Sequence, residues 1–168
     1  MTKQIIDFTK KLLPEIKLEP AESFFWSPKQ KKITYNQSII NTKIGIWSML
    51  HEAAHASLNH TNYTSDLGLL RLEVEAWNEA KKLSDQLGIE IDDSHIQDCL
   101  DTYRDWLHRR STCPSCGVIC LQSSPVEYSC HNCHTSWRVS TSRFCRPYRL
   151  QIVGQKNEKP QVLTATFR

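Results

Sequence analysis

The sequence predicts an α+β chain: a helical body with a small sheet, followed by a short cysteine-rich β module. Three observations carry this. Four stretches place apolar residues at steps of three and four, the period of a helix with one buried face. One stretch, FFWSPKQKKITYNQ, sets aromatic and β-branched residues on either side of a polar turn, which reads as two short strands. Beyond residue 110, paired cysteines, serines and prolines replace the helical pattern.

The elements follow in chain order. Residues 2–17 carry Ile5, Ile6, Leu12, Leu13 and Ile16 at helical spacing, and Pro14 can kink or end that helix. The two strands meet at Ser27-Pro28-Lys29-Gln30. A second helix starts near Asn41-Thr42 and runs through Ile44, Ile46, Trp47, Leu50 and Ala54 to Leu58. NHTNYTSD breaks the pattern. A third helix, capped by Ser65 or Asp66, stops at Gly88. A fourth begins at Asp92-Asp93-Ser94 and reaches Arg109. The expected division is a body at 1–110, a cysteine module at 111–150 and a tail at 151–168.

A chain of 168 residues can bury a core and carry a small appendix. No run approaches the ~18 apolar residues of a membrane span. The start, MTKQIIDFTKKLLPEIKLEP, is too charged for a secretory signal. The expectation is a cytoplasmic protein with no membrane partner. Seven cysteines there point to metal ligation more than to disulfides. Residues 1–103 hold 11 Lys+Arg against 15 Asp+Glu, a net of −4, whereas residues 104–168 hold 10 against 3, a net of +7. A basic end suits a polyanion such as nucleic acid, or serves only to keep a small module soluble.

The stretch WSMLHEAAHASLNH carries the chemistry. His51 and His55 are one helical turn apart, so both imidazoles leave the same face, as a shared tetrahedral zinc requires. Glu52 follows the first histidine and can take a proton from a water that the zinc has acidified. With 7 His and 10 Glu in 168 residues, shuffling supplies only ~0.02 such H-E-x-x-H matches. A third histidine ten residues after the first would complete one known ligand set, but that position is Thr61. The other common solution is a carboxylate from a following helix. There Leu69, Leu72, Ala76, Ala80, Leu83 and Leu87 form one apolar stripe, and Glu73 lies within it. Glu75 falls with Arg71, Asn78, Glu79 and Lys82 on the polar side. A carboxylate on a core face is costly unless it is paired or bound to metal, which favours Glu73. Glu75 is the alternative, with His60 and Asp66 as outsiders.

HEAAH followed by LEVEAWNEA resembles the ImmA/IrrE family of compact zinc metallopeptidases. In that family the H-E-x-x-H helix is followed by a helix bearing an E-x-E-A-type signature, which falls here on Glu73, Glu75, Ala76 and Ala80. The residue before the final alanine, often aromatic in the family, is Glu79. The resemblance covers roughly residues 20–90 and implies a minimal gluzincin-like, that is zincin-like, domain. In it a short twisted sheet receives substrate along an edge strand, expected here at KITYN, residues 32–36. The implied activity is peptide-bond hydrolysis, with zinc on His51, His55 and Glu73 and with Glu52 as general base. Tyr35, His60, Tyr63 and Tyr103 are candidates to stabilise the oxyanion. SprT-like proteases share the architecture of such a domain joined to a C-terminal zinc ribbon. Their third ligand is a histidine followed by glycine, and no His-Gly pair occurs here.

The second metal signal stands apart. Cys113-x2-Cys116 and Cys130-x2-Cys133, thirteen residues apart, are the paired knuckles of a zinc ribbon. Four thiolates close the coordination shell, so this zinc is expected to be structural. His131 and His134 are possible substitutes for a cysteine. Cys120 and Cys145 are expected to pack on the ribbon, and Cys99 to be a buried thiol on the fourth helix. In WRVSTSRFCRPYR, Trp137, Phe144 and Tyr148 alternate with arginines, a pattern suited to single-stranded nucleic acid or to a hairpin with solvated arginines. The rival to a peptidase is therefore a zinc-ribbon adaptor for nucleic acid or protein with a vestigial centre.

Overall fold

The computed structural model describes residues 2–140 and 149–152. The chain is α+β and divides into two compact units, Met1–Arg109 and Arg110–Arg168. No helix among the described residues is long and apolar enough to cross a membrane.

The first unit opens with α1 (Thr2–Leu12). It ends earlier than the periodicity of residues 2–17 predicts. Pro14 disfavours helical backbone at Leu13, so the chain leaves the helix there. Three strands follow: β1 (Lys17–Ala21), β2 (Phe25–Ser27) and β3 (Lys32–Asn36). The sheet order is β1-β3-β2, with β1 parallel and β2 antiparallel to β3. KITYN is therefore the central strand, which corrects its expected place at the edge. β1 was hidden in the sequence by Pro20 and by the charges of Lys17 and Glu19. Those residues suit an edge strand, where Pro costs no ladder bond and charge discourages further pairing.

Three long helices complete this unit. The central one, α2 (Lys43–Ser57), is capped by Thr42, whose hydroxyl accepts the Gly45 N–H at 3.0 Å. Ile46, Trp47, Met49, Leu50, Ala53, Ala54 and Ala56 are all buried, so α2 is wrapped on most sides. It packs against α1, β2, β3 and the next helix. That helix, α3 (Asp66–Gln86), is capped by Ser65 and ends at Gly88, whose φ of +65° is the left-handed turn that glycine supplies. Its buried stripe is Leu69, Glu73, Ala76, Trp77, Ala80 and Leu83. The last helix, α4 (Asp93–Ser111), adds Ile96 and Leu100 to the core.

The second unit begins with the last two residues of α4. It holds a four-stranded antiparallel sheet of β4 (Gln122–Ser124), β5 (Glu127–Ser129), β6 (Ser136–Val139) and β7 (Arg149–Gln151), in that order. Its core is Cys113, Cys120, Tyr128, Cys130, Trp137 and Val139. Tyr128 and Trp137 stack with ring centroids 5.5 Å apart. The Trp137 indole N–H donates to the Arg110 carbonyl at 2.9 Å, and the Arg110 guanidinium donates to the Ser140 carbonyl.

Candidate metal centres

Two clusters of metal-ligating side chains form among the described residues: His51, His55 and Glu73 in the first unit, and Cys113, Cys116, Cys130 and Cys133 in the second. In each cluster the donor atoms lie within 4.8 Å of one another, so each could hold a metal ion.

Two adjacent helices build the first cluster. His51 and His55 project from one face of α2, with Nε2 atoms 3.1 Å apart. Glu73 comes from the buried stripe of α3, with Oε2 at 3.2 Å from His51 Nε2 and 3.7 Å from His55 Nε2. It is only 7% exposed. Burial pushes its carboxyl up, but hydrogen bonds and charge from His51 and His55 outweigh this and hold it well below the usual carboxylate range. Glu75, two positions on, turns to the outer face, where it pairs with the Arg71 guanidinium at 2.7 Å. Asp66 is buried in the first turn of α3 and is not among the converging ligands.

Glu52 is half-buried beside this cluster in sequence. Its Oε2 accepts the backbone N–H of Trp26 at 2.6 Å. That N–H is therefore turned away from β3, and the outer edge of β2 faces α2. The Trp26 indole N–H donates to the His60 carbonyl at 2.9 Å. One residue thus ties the edge strand both to Glu52 and to the segment after α2. Nothing in the local sequence marks Trp26 for this, because the contact spans 26 residues to Glu52 and 34 to His60.

His60 lies behind His55, with their Nδ1 atoms 2.8 Å apart. Its Nε2 stands 3.5 Å from Glu75 Oε2. Burial lowers its pKa and His55 adds to that, against the opposing influence of Glu75 and Glu73. The cause of its placement is local. Asn59 takes φ +54°, the His60 N–H bonds the His55 carbonyl at 2.9 Å, and the Asn59 N–H bonds the Ala56 carbonyl at 3.1 Å. This left-handed helix ending brings residue 60 back over residue 55. On the other side, His51 packs on Trp77 with centroids 4.2 Å apart, and its Nδ1 has no hydrogen-bond partner among the described residues. Of the other oxyanion candidates, Tyr63 is exposed, Tyr35 lies on the central strand β3, and Tyr103 lies on α4.

The cysteine cluster is built from two equivalent turns. Sγ atoms of Cys113 and Cys133, and of Cys116 and Cys130, stand 3.5 Å apart. In the first turn the Gly117 N–H bonds the Cys113 carbonyl and the Cys113 N–H bonds the Val118 carbonyl. In the second, His134 bonds Cys130 and Cys130 bonds Thr135 in the same pattern. Gly117 has φ +75° and His134 φ +57°, so His134 fills the position that glycine fills in the first turn. His131 and His134 are exposed and outside the cluster, so neither replaces a cysteine. Backbone N–H groups stabilise the thiolates: that of Cys133 leads in bringing the Cys130 thiol down to about 6, while burial pushes Cys113 up to about 11.

The remaining residues sort simply. Cys120 packs in the core of the second unit, and Cys99 is half-buried on α4 with Sγ 3.7 Å from His95 Nε2. Trp137 is fully buried and offers no face on which a base could stack. Arg138 pairs with Glu127 at 2.8 Å, and Arg149 donates to the Thr112 carbonyl at 2.8 Å. Arg143, Phe144, Cys145, Arg146 and Tyr148, and residues 153–168 of the expected tail, lie outside the described residues. The four-cysteine arrangement is compatible with a zinc ribbon. The chain matches no protein-family model, no curated protein and no solved structure.

Proposed function

We propose that this chain is a zinc metallopeptidase, with a reactive zinc on His51, His55 and Glu73 and a structural zinc on Cys113, Cys116, Cys130 and Cys133. One observation carries the reading: two imidazole nitrogens and one buried carboxylate oxygen converge at 3.1, 3.2 and 3.7 Å, with Glu52 next to the first ligand. Ligands about 2.0–2.1 Å from a tetrahedral zinc stand about 3.3 Å from one another, close to these separations. Thiolates about 2.3 Å from zinc stand about 3.8 Å apart, close to the 3.5 Å pairs of the second cluster. Imidazole with carboxylate, and thiolate alone, are both donor sets that suit zinc. Three protein ligands leave a coordination position open, whereas four thiolates close the shell.

A zinc ion at the first centre would polarise a peptide carbonyl and acidify a water. Glu52 takes the water's proton as general base and returns it to the leaving amine. The Trp26 N–H holds Glu52 Oε2 and so fixes which way the base points. The reading takes the first unit as gluzincin-like, as the resemblance to ImmA/IrrE-type metallopeptidases implies.

The test is cleavage of a mixed library of unstructured peptides by the zinc-loaded full chain, followed by mass spectrometry. Wild type should cleave. Glu52→Gln should keep both metals and lose activity by roughly 10²- to 10⁴-fold, the scale of a general base. Cleavage that survives Glu52→Gln would overturn the mechanism.

A further inference from the structure

The geometry points to His60 as a positioning residue that, with Glu75 and Arg71, sets the tautomer of His55 and presents its Nε2 lone pair to the metal. The inference rests on the metal centre proposed above and goes on to assign groups that touch neither metal nor substrate.

The argument begins at the outer end of the chain. Arg71 Nε donates to Glu75 Oε1 at 2.7 Å. Glu75 is thereby held as a carboxylate, which can only accept hydrogen bonds. Its Oε2 faces His60 Nε2 at 3.5 Å, so that nitrogen is the one to carry the proton. In neutral imidazole one ring nitrogen donates and the other accepts, so His60 Nδ1 is then an acceptor. The partner of that Nδ1 is His55 Nδ1 at 2.8 Å. His55 must therefore carry its proton on Nδ1 and donate it outward. That leaves an unshared pair on His55 Nε2, the atom that faces His51 Nε2 at 3.1 Å and Glu73 Oε2 at 3.7 Å. The reverse tautomer would put a proton on His55 Nε2, where a metal has to bind.

Two structural features hold the chain in place. The left-handed turn at Asn59 seats His60 over His55, and the Trp26 indole N–H fixes the His60 carbonyl at 2.9 Å. Glu75 also gains a purpose that its place on the polar side of α3 does not reveal. A ligating histidine whose other nitrogen is held by an outer acceptor is a more basic and better oriented ligand. Here that acceptor is a second imidazole, and the carboxylate stands one residue further out.

The test uses the full chain titrated with cobalt(II) and zinc(II) against a competing chelator. An imidazole–carboxylate set gives weak visible cobalt bands, whereas a thiolate set adds intense sulfur-to-metal charge transfer, so the two centres read separately. His60→Ala should weaken metal at the first centre by roughly 10- to 100-fold and leave the thiolate centre unchanged. His60→Gln should recover most of the loss, because an amide can accept from His55 and donate to Glu75. Glu75→Ala, at a half-buried position on the outer face of α3, should weaken the first centre in the same direction without loss of helix. It decides the matter if His60→Ala fails to fold. Wild type with two centres and unchanged affinity in these variants would overturn the inference alone. His60→Gln no better than His60→Ala would show a packing role and overturn it too. Wild type with only the thiolate centre would overturn the metal reading and this inference together.

Discussion

Glu73 and Glu75 stand two positions apart on α3 and have opposite surroundings. Glu73 is buried against His51 and His55, while Glu75 lies on the outer face against Arg71. The apolar stripe of the sequence was enough to separate them, because a helix repeats its face every three or four residues. Their removal should differ accordingly in the metal-free chain. Glu73→Ala strips an acceptor from the buried His51 imidazole and should cost about 1–3 kcal/mol of stability. Glu75→Ala should leave the denaturation midpoint of the first unit close to wild type. Urea titration followed by tryptophan fluorescence checks both, and equal losses would contradict the assignment of faces. The sequence offered His60 as an outside ligand or an oxyanion helper, not as the neighbour of His55 Nδ1. Its position depends on the backbone sign at Asn59, which residue identity permits without dictating. Trp26 was not legible, since no periodicity links a strand residue to a helix residue so far along the chain.

At the scale of elements, α2 sits at the centre of the first unit, packed against α1, β2, β3 and α3. A Cβ at Gly45 would stand 2.0 Å from the Ile39 carbonyl oxygen and 2.7 Å from the Ile40 Cα, both backbone atoms. The turn before α2 has no flexible side chain there to give way. Gly45→Ala should therefore destabilise the first unit by about 1–3 kcal/mol, the usual range for overpacking, despite the better helix propensity of alanine. Thermal unfolding by circular dichroism tests this, and a neutral or stabilised variant would show that the approach relaxes freely. The helices were legible because their caps are chemical: Thr42, Ser65 and Gly88 do what such residues do at helix ends. The sheet was less so. β1 pairs in parallel with β3 through residues that include Pro20 and Glu19, so its strand character comes from its partner and not from its composition. That strand is what moves KITYN from the edge to the centre and leaves β2 to face Glu52.

The whole molecule joins two units stabilised in different ways. The first has one contiguous cluster of eighteen buried apolar residues among those described, running from Ile5 to Leu100. The second has a core of six, of which Cys113 and Cys130 belong to the four-cysteine cluster. The zinc proposed on the four thiolates would supply a core that small with a cross-link. The boundary in the sequence was visible as a change of composition, and the paired C-x2-C spacing made the cluster legible in advance. The convergence of His51, His55 and Glu73 was legible in part, through H-E-x-x-H and the stripe on α3. Its outer residues come from the folded arrangement.

Zinc content per chain tests the central claim most directly. The metal-saturated full chain, freed of excess zinc and measured by atomic emission, should hold two zincs per chain. His51→Ala should hold one, with the thiolate centre intact. One zinc in both proteins, or two in both, would contradict a metal centre on His51, His55 and Glu73.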